Sequence, residues 1–384
     1  MSFSFSFSGD DIEGQDDGVQ QVEVPKGPGS VAPIAAPSST QRQQATSAFP
    51  VEGKPQLQPT RQNMDSMLSL LPSKIAYDLL SVTLVDGRII GLPRRELWDV
   101  RVQLMAEDDG SGSTTEGLGS HDVKTGVYEG GFKSWESSVD LVKVLASLDY
   151  GRHDGSTQPL HVIELGCGTA LPSLALFRQV MSERKSAAEP GAAPPPALLM
   201  TVADYNPSVL QLVTLPNFIL TWALLFKDTE PALKDAFELE DELELTDELK
   251  QAFSHSLAAA NVTLSWISGG WSHEFVEILY AAAEERGLPT SLTTLVLGAE
   301  TIYSPFALRA FYETLVEILQ REHRERPGSD AQVLVGAKRH YFGVGGSLDD
   351  FVEMARGGGF VVEQLAEETD GVRRGVVQCR LAAP

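Results

Sequence analysis

Between residues 138 and 381 the chain alternates two hydrophobic rhythms. Short, nearly continuous apolar runs at 161–165, 198–203, 262–267, 293–298, 332–337 and 372–381 have the length and β-branched content of strands buried on both faces. Longer stretches with apolar residues three and four apart, at 138–148, 171–181, 208–226, 272–285, 305–323 and 348–356, predict helices. Strand and helix follow one another in turn, which predicts an α/β fold with a doubly wound, mostly parallel sheet. Such sheets bind ligands beyond the carboxyl ends of their strands, where the strand order reverses. No internal repeat interrupts the alternation.

The regions outside this rhythm differ in kind. Residues 1–62 are rich in Gln, Ser, Pro and Ala, and aromatics are scarce after Phe7, so a disordered N-terminal tail is expected. Order is expected from about Met64. Leu71-Pro72-Ser73-Lys74 leads into an apolar segment at 75–84, with Asp86-Gly87 as a turn signal. The division is a tail at 1–62, an N-terminal extension at 63–125 with a flexible Gly, Ser and acid-rich loop at 107–122, and a main domain at 126–384. Insertions fall near 186–196 and 228–248. The second is strongly acidic and reads as a solvated helix.

Charge and composition narrow the partners. Of 384 residues, 53 are Asp or Glu and 30 are Lys or Arg, a net charge of −23, which argues against direct nucleic-acid binding and is compatible with a basic protein partner. Two cysteines, Cys167 and Cys379, exclude a disulfide framework and a four-cysteine zinc site. No apolar run reaches the roughly 20 residues of a membrane span; the richest, 215–226, contains Pro216 and Asn217, so no membrane partner is expected. The Met1–Asp10 start lacks a basic n-region, and no secretory signal is expected. A soluble intracellular protein follows, cytoplasmic or nuclear, with no basic cluster to mark the nucleus.

The candidate chemistry gathers at the ends of the strands. The first strand of the alternation runs into Glu164-Leu165-Gly166-Cys167-Gly168-Thr169-Ala170 and then a helix. A Gly-x-Gly turn there lets a cofactor approach the backbone. The third glycine of a dinucleotide fingerprint is missing, with Leu171 and Pro172 in that region, and an acid precedes the turn. Both details favour S-adenosylmethionine, which has no phosphate, over a pyrophosphate cofactor. Cys167 reads as a small packed residue. The second strand ends at Asp204-Tyr205-Asn206, where a carboxylate can accept from ribose hydroxyls or cap a helix. Gly270 and Trp271 follow the third strand, Trp271 as an adenine wall or a core indole. Ala299, Glu300 and Tyr303 follow the fourth, a position that faces the reacting centre. Two Gly-rich, aromatic segments, 127–138 and 337–347, suit loops that close over a ligand.

These segments together resemble the eukaryotic protein-histidine N-methyltransferases of the seven-β-strand, S-adenosylmethionine-dependent, Rossmann-like superfamily. The resemblance rests on Met1-Ser2-Phe3-Ser4-Phe5, Leu71-Pro72-Ser73-Lys74, Tyr128-Glu129-Gly130-Gly131 through Trp135-Glu136, Glu164 to Gly168, Asp204-Tyr205-Asn206, Thr214-Leu215-Pro216-Asn217, Glu300-Thr301-Ile302-Tyr303 and His340-Tyr341-Phe342-Gly343-Val344-Gly345-Gly346. It implies Trp135, Glu136 and Ser137 over the methionine end of the cofactor, Gly166 and Gly168 in its turn with Glu164 and Cys167 counted in the same cofactor-binding segment, and Asp204, Tyr205 and Asn206 at ribose and adenine. It further implies Gly270 and Trp271 at the adenine and Ala299 beneath the methionine. Two departures stand out: Ala170 where the family usually has Gly, and no acid near Gly270, which puts an adenine amino hydrogen bond in doubt.

The resemblance also implies the reaction: methyl transfer to the tele nitrogen of a histidine in a basic large-subunit ribosomal protein, with S-adenosylhomocysteine as product, no metal, and a monomeric enzyme. A histidine with a pKa of about 6.5 is mostly neutral at pH 7, so no strong base is needed, whereas a lysine near 10.4 must be deprotonated. One group must hold the second imidazole nitrogen. Glu300, Tyr303 and His340 are the candidates, and spacing does not choose among them. A protein-lysine methyltransferase of the same fold, and a non-catalytic S-adenosylmethionine-binding ribosome-assembly factor, are the competing readings.

Overall fold

The computed structural model describes residues 50–107, 130–148, 158–186, 194–285, 287, 291–327, 330–341, 343 and 345–382. Residues 1–49 of the expected tail, 108–122 of the expected loop, 187–193 of the first insertion, and Tyr128 and Glu129 lie outside them. Ala45–Pro384 form one compact unit.

The main sheet has eight strands. In chain order they are β1 (Thr60–Gln62), β4 (Leu160–Leu165), β5 (Leu198–Asp204), β7 (Val262–Ser268), β8 (Thr293–Ala299), β9 (Ala331–Lys338), β10 (Phe360–Glu368) and β11 (Arg374–Leu381). Their spatial order is β1-β7-β5-β4-β8-β9-β11-β10. Strands β7, β5, β4, β8 and β9 are parallel, and β11 runs antiparallel between β9 and β10. This is the doubly wound, Rossmann-like seven-strand arrangement that the alternation predicts, extended by β1 at one edge. The order reverses between β4 and β8, so the crevice opens there.

The apolar runs are continuous because alternate side chains enter two different cores. Val162, Met200, Leu295 and Leu334 join one cluster; their neighbours Ile163, Val296 and Val333 join the other. The first core takes helices α3 (Glu136–Leu148), α4 (Leu171–Ser186), α5 (Pro207–Phe226) and α6 (Asp247–Ala259). The second takes α7 (His273–Glu284), α8 (Pro305–Glu325) and α9 (Leu348–Gly357). The helices that leave the carboxyl ends of β7, β8 and β9 share one device. Ser272, Ser304 and Ser347 each accept from a backbone N–H in the first turn, of Phe275, Ala307 and Asp350, which fixes where each loop ends.

Helix α5 corrects the membrane arithmetic. With 20 residues it is long and apolar enough to cross a membrane, yet it is the core helix, and Leu215 to Ala223 are all buried. Pro216 does not break it: it lies in the first turn of the Leu215–Phe226 segment, after a π-turn at Leu210–Thr214, and the Leu212 carbonyl that its missing N–H would serve accepts from Arg95 Nη1 instead.

A second, smaller sheet has the order β3-β2-β6, with β2 (Lys74–Thr83) and β3 (Ile89–Arg95) forming a hairpin and β6 (Glu242–Glu244) pairing with β2. The hairpin turn is the predicted Asp86-Gly87, with Gly87 at φ +84°. Helices α1 (Met64–Ser69) and α2 (Leu97–Glu107) flank it in sequence. The 228–248 insertion is not a helix. It forms a short 3-10 turn, Pro231–Leu233, and then β6, with Leu233, Leu243 and Leu245 buried. Its mixed apolar spacing reflects a strand added to the hairpin. The tail boundary at 62 also moves. Thr60, Arg61 and Gln62 pair with Ser268, Ile267 and Trp266 of β7, and the chain is placed from residue 50.

Candidate active site

The register of the parallel strands sets the site. Leu165 lies level with Ala203, Asp204 with Ser268, and Ala299 with Gly336. The residues that follow these positions are therefore brought to one end of the sheet.

The turn after β4 is a chain of left-handed residues. Gly166, Gly168 and Ala170 have φ of +67°, +50° and +56°. Ala170, where the resembling family has Gly, adopts the glycine conformation and is fully buried. The turn is pinned from three sides. The Asp204 carboxylate accepts from Gly168 N and Asn206 N, both at 3.1 Å. Thr214 Oγ1 donates to the Gly168 carbonyl at 2.7 Å, and Asn217 Nδ2 donates to the Thr169 carbonyl at 3.1 Å. Arg95 Nη1 takes the Leu212 carbonyl at 2.9 Å, satisfying part of the π-turn that aims Thr214 at the Gly turn. The Thr-Leu-Pro-Asn segment carried a family likeness without a role; the structure gives it this one.

Glu164 is 1% exposed and accepts from Ser173 N at 3.0 Å. It ties the turn to the first residues of α4. Burial pushes its carboxyl up to about 7, against the lowering effect of Ser173. Burial likewise pushes Asp204 up to about 6, opposed by the backbone N–H groups it accepts from. Cys167 is buried, and burial holds its thiol well above the usual range. It is therefore a packed residue, as its sequence context suggests.

At the end of β8, Glu300 has a φ of +57°. Its Oε1 accepts from Ser137 Oγ and its Oε2 from Tyr341 Oη, each at 2.5 Å. Ser137 reaches it because Gly336 lets α3 approach β9: a Cβ on Gly336 would lie 2.9 Å from the Ser137 carbonyl. Tyr341 also accepts from Lys338 N at 3.4 Å. Burial first, and then the Glu300 charge, raise the Tyr341 hydroxyl well above its ordinary value, so it stays a donor. Lys338 Nζ stands 5.4 Å from the Trp135 ring centre and 5.8 Å from that of Tyr341.

The candidates separate as follows. Ser137, Glu300 and Tyr341 are brought together; Trp135 is exposed beside them; Glu136 opens α3 with its carboxylate 3.6 Å from Arg374 Nη1. Tyr303 is half-buried in the loop before α8, and Ala299 ends β8 level with Gly336. His340 is exposed, and it is its neighbour Tyr341 that turns inward to Glu300. The loop that carries both is drawn in tightly, since a Cβ on Gly346 would lie 2.6 Å from the Tyr303 carbonyl carbon. Phe342 and Val344 of this loop lie outside the described residues. Trp271 packs against Phe311 with ring centres 5.6 Å apart and borders Gly166, whose added Cβ would lie 3.5 Å from the indole. Tyr205 Oη accepts from Leu57 N at 3.0 Å, and Gly270 N donates to the Leu57 carbonyl at 2.8 Å. The strap at 56–59 therefore crosses the ends of β5 and β7, in a stretch that sequence composition assigned to the tail.

Proteins of known kind resemble this chain over most of its length. Histidine protein methyltransferase 1 of Saccharomyces cerevisiae is 33% identical over 374 residues, covering 91% of this chain and 89% of the yeast protein. The Schizosaccharomyces pombe protein of the same name is 32% identical over 296 residues, 75% of this chain and 74% of its own. Among solved structures, a magnesium protoporphyrin IX methyltransferase from Synechocystis PCC 6803 with bound SAH overlaps 64% of this chain and 83% of its own, with a TM-score of 0.32 and 11% identity. No family model matches the chain.

Proposed function

The chain belongs to the histidine protein methyltransferases, which use S-adenosylmethionine, and from that premise we propose that it methylates the tele nitrogen of a histidine in a basic large-subunit ribosomal protein. The cofactor fits the residues present. The turn at 166–168 is lined by glycine hydrogens, and an added Cβ at Gly168 would lie 3.2 Å from the Gly131 carbonyl, narrowing the cradle. Asp204 stands at its edge with lone pairs beyond the two it gives to Gly168 and Asn206, enough to accept from ribose hydroxyls. Trp135, Glu136 and Ser137 would cover the methionine end, with Ala299 beneath it. When bound, S-adenosylmethionine supplies an electrophilic methyl group.

The observation that carries the reading is the Glu300 carboxylate, fixed at the switch-point end of β8 by the Ser137 and Tyr341 hydroxyls. An imidazole needs no strong base, but it needs its second nitrogen held. A carboxylate has about four acceptor sites, so Glu300 retains capacity for the substrate Nδ1–H while both hydroxyls hold it. That contact leaves Nε2, the tele nitrogen, as the free lone pair. The same carboxylate stabilises the positive charge that the ring gains. Tyr341 and Ser137 act through Glu300 as positioning residues. The net charge of −23 favours encounter with a basic protein substrate.

The test is methyl transfer from labelled S-adenosylmethionine to recombinant large-subunit ribosomal protein, with Asp204→Ala as control and amino-acid analysis of the product. Tele-methylhistidine that vanishes in the control is the expected result. Methyl-lysine or pros-methylhistidine would overturn the substrate reading. A histidine buried in a finished subunit must be modified earlier, so intact subunits should remain unlabelled; labelling at the rate of the free protein would reverse that order.

A further inference from the structure

Helix α4 carries two partly buried arginines that the fold treats differently. Arg184 donates to the carbonyls of Ala260, Asn261 and Pro196. The Arg178 guanidinium makes no hydrogen bond or ion pair among the described residues. Burial lowers its pKa, unopposed by any neighbouring carboxylate. A cation held in this way loses hydration and gains no partner in return, which leaves it to be met by an anion from outside the chain.

The side chain is not sealed off. It lines a cavity of about 230 Å³ between the β2–β3 hairpin, α3 and α4, open to solvent on one side. Leu84 and Ile90 of the hairpin, Leu145 of α3 and Leu176 of α4 give this cavity apolar walls. Two other charged side chains reach it, and both are engaged: Arg88 with Asp86, and Glu183 with Gln179. Arg178 is therefore its uncommitted charge. None of the residues implied at the cofactor or the substrate lines the cavity, so it is separate from the site described above.

We propose that this cavity binds a small organic carboxylate, with its carboxylate on Arg178 and its apolar body between the hairpin and the two helices. A guanidinium matches a carboxylate with two parallel hydrogen bonds. An inorganic anion would leave the apolar walls wet, and a neutral hydrocarbon would bury the guanidinium further without a partner. An apolar cavity of about 150 Å³ takes benzene, so one half as large again takes about nine non-hydrogen atoms, the size of benzoate. The bound acid would touch the hairpin, α3 and α4 together and fasten the small sheet to the helices of the main one.

The experiment is a ligand-observed NMR titration of the full chain with benzoate and with benzamide, its neutral counterpart of the same shape, for the wild type and Arg178→Gln. Excess S-adenosyl-L-homocysteine is present throughout, so that the cofactor site cannot take the probes. The wild type should bind benzoate with a dissociation constant of about 1 mM or below and prefer it to benzamide about tenfold or more. Arg178→Gln should bind the two within about threefold of each other. The ratio is the readout, because a cavity merely loosened by the substitution weakens both probes together. An Arg178→Gln variant with the wild-type ratio overturns the proposal, since the anion is then held elsewhere. So does a wild type that binds neither probe or both alike, which decides the matter even if the variant fails to fold.

Discussion

Replacing Glu164 by Gln should stabilise the ligand-free protein, and the gain should grow with pH. The carboxyl is 1% exposed, and burial raises it from its usual 4.5 to about 7 in the folded chain. The folded protein therefore holds this proton to a higher pH than the unfolded chain does. The side chain's contribution to stability is complete below pH 4.5 and is lost as pH rises through 7. At 1.36 kcal/mol per pH unit, the loss is under about 1 kcal/mol at pH 5, about 3 at pH 7, and nearly level above pH 8. Gln keeps an oxygen for Ser173 N and never ionises. Urea unfolding of both proteins at pH 5, 6, 7 and 8 measures the difference. A constant offset from the extra amide donor would move all four points together, so the slope is what counts. A stability difference that stays flat or falls from pH 5 to pH 8 would refute the reasoning. Because the carboxylate touches Ser173 rather than an open surface, S-adenosylhomocysteine affinity should change less than threefold.

Four further outcomes are expected. Affinity for S-adenosylhomocysteine should be full above pH 6 and weaken towards tenfold per unit below it, as Asp204 takes up a proton near its raised value of about 6; titration calorimetry across pH 5–8 reads this directly. Tyr341→Phe removes one charge-assisted hydrogen bond to Glu300, so kcat should fall roughly 10- to 100-fold while cofactor affinity stays within threefold. Gly269→Ala should displace the strap, since φ there is +105° and the new Cβ would overlap the Gln58 carbonyl and lie 2.7 Å from Pro59 Cα; faster proteolysis before residue 60 and weaker cofactor binding are the readouts. Arg374→Met leaves Asp140 without its 2.7 Å partner in a buried setting and should cost about 3 kcal/mol in urea unfolding, near the low end for such a loss because Lys143 Nζ remains 3.7 Å away.

The parts legible in the sequence are those written in consecutive residues. The apolar runs became strands because both faces of a parallel sheet are buried, and the Gly-x-Gly turn became left-handed because few other residues tolerate that conformation. Glu300 was legible by its place after a strand. Its partners were not. Polar composition misassigned the strap, because residues 56–62 gain order from partners far along the chain, among them β7, Tyr205 and Gly270. The acidic insertion failed as a helix for a similar reason: β6 exists through its pairing with β2.

The sequence by itself determined the sheet, the cofactor turn and the family, since periodicity, turn chemistry and motif spacing are local properties. Tertiary structure alone decided that Tyr341 rather than His340 faces Glu300, that Thr214 and Asn217 hold the Gly turn, and that Gln56 stands beside Gly270. These contacts join residues 41 to 214 positions apart, as between Glu300 and Tyr341 at separation 41 or Leu57 and Tyr205 at separation 148. No local preference encodes such a meeting; it is set when strands take their register and bring their carboxyl ends level.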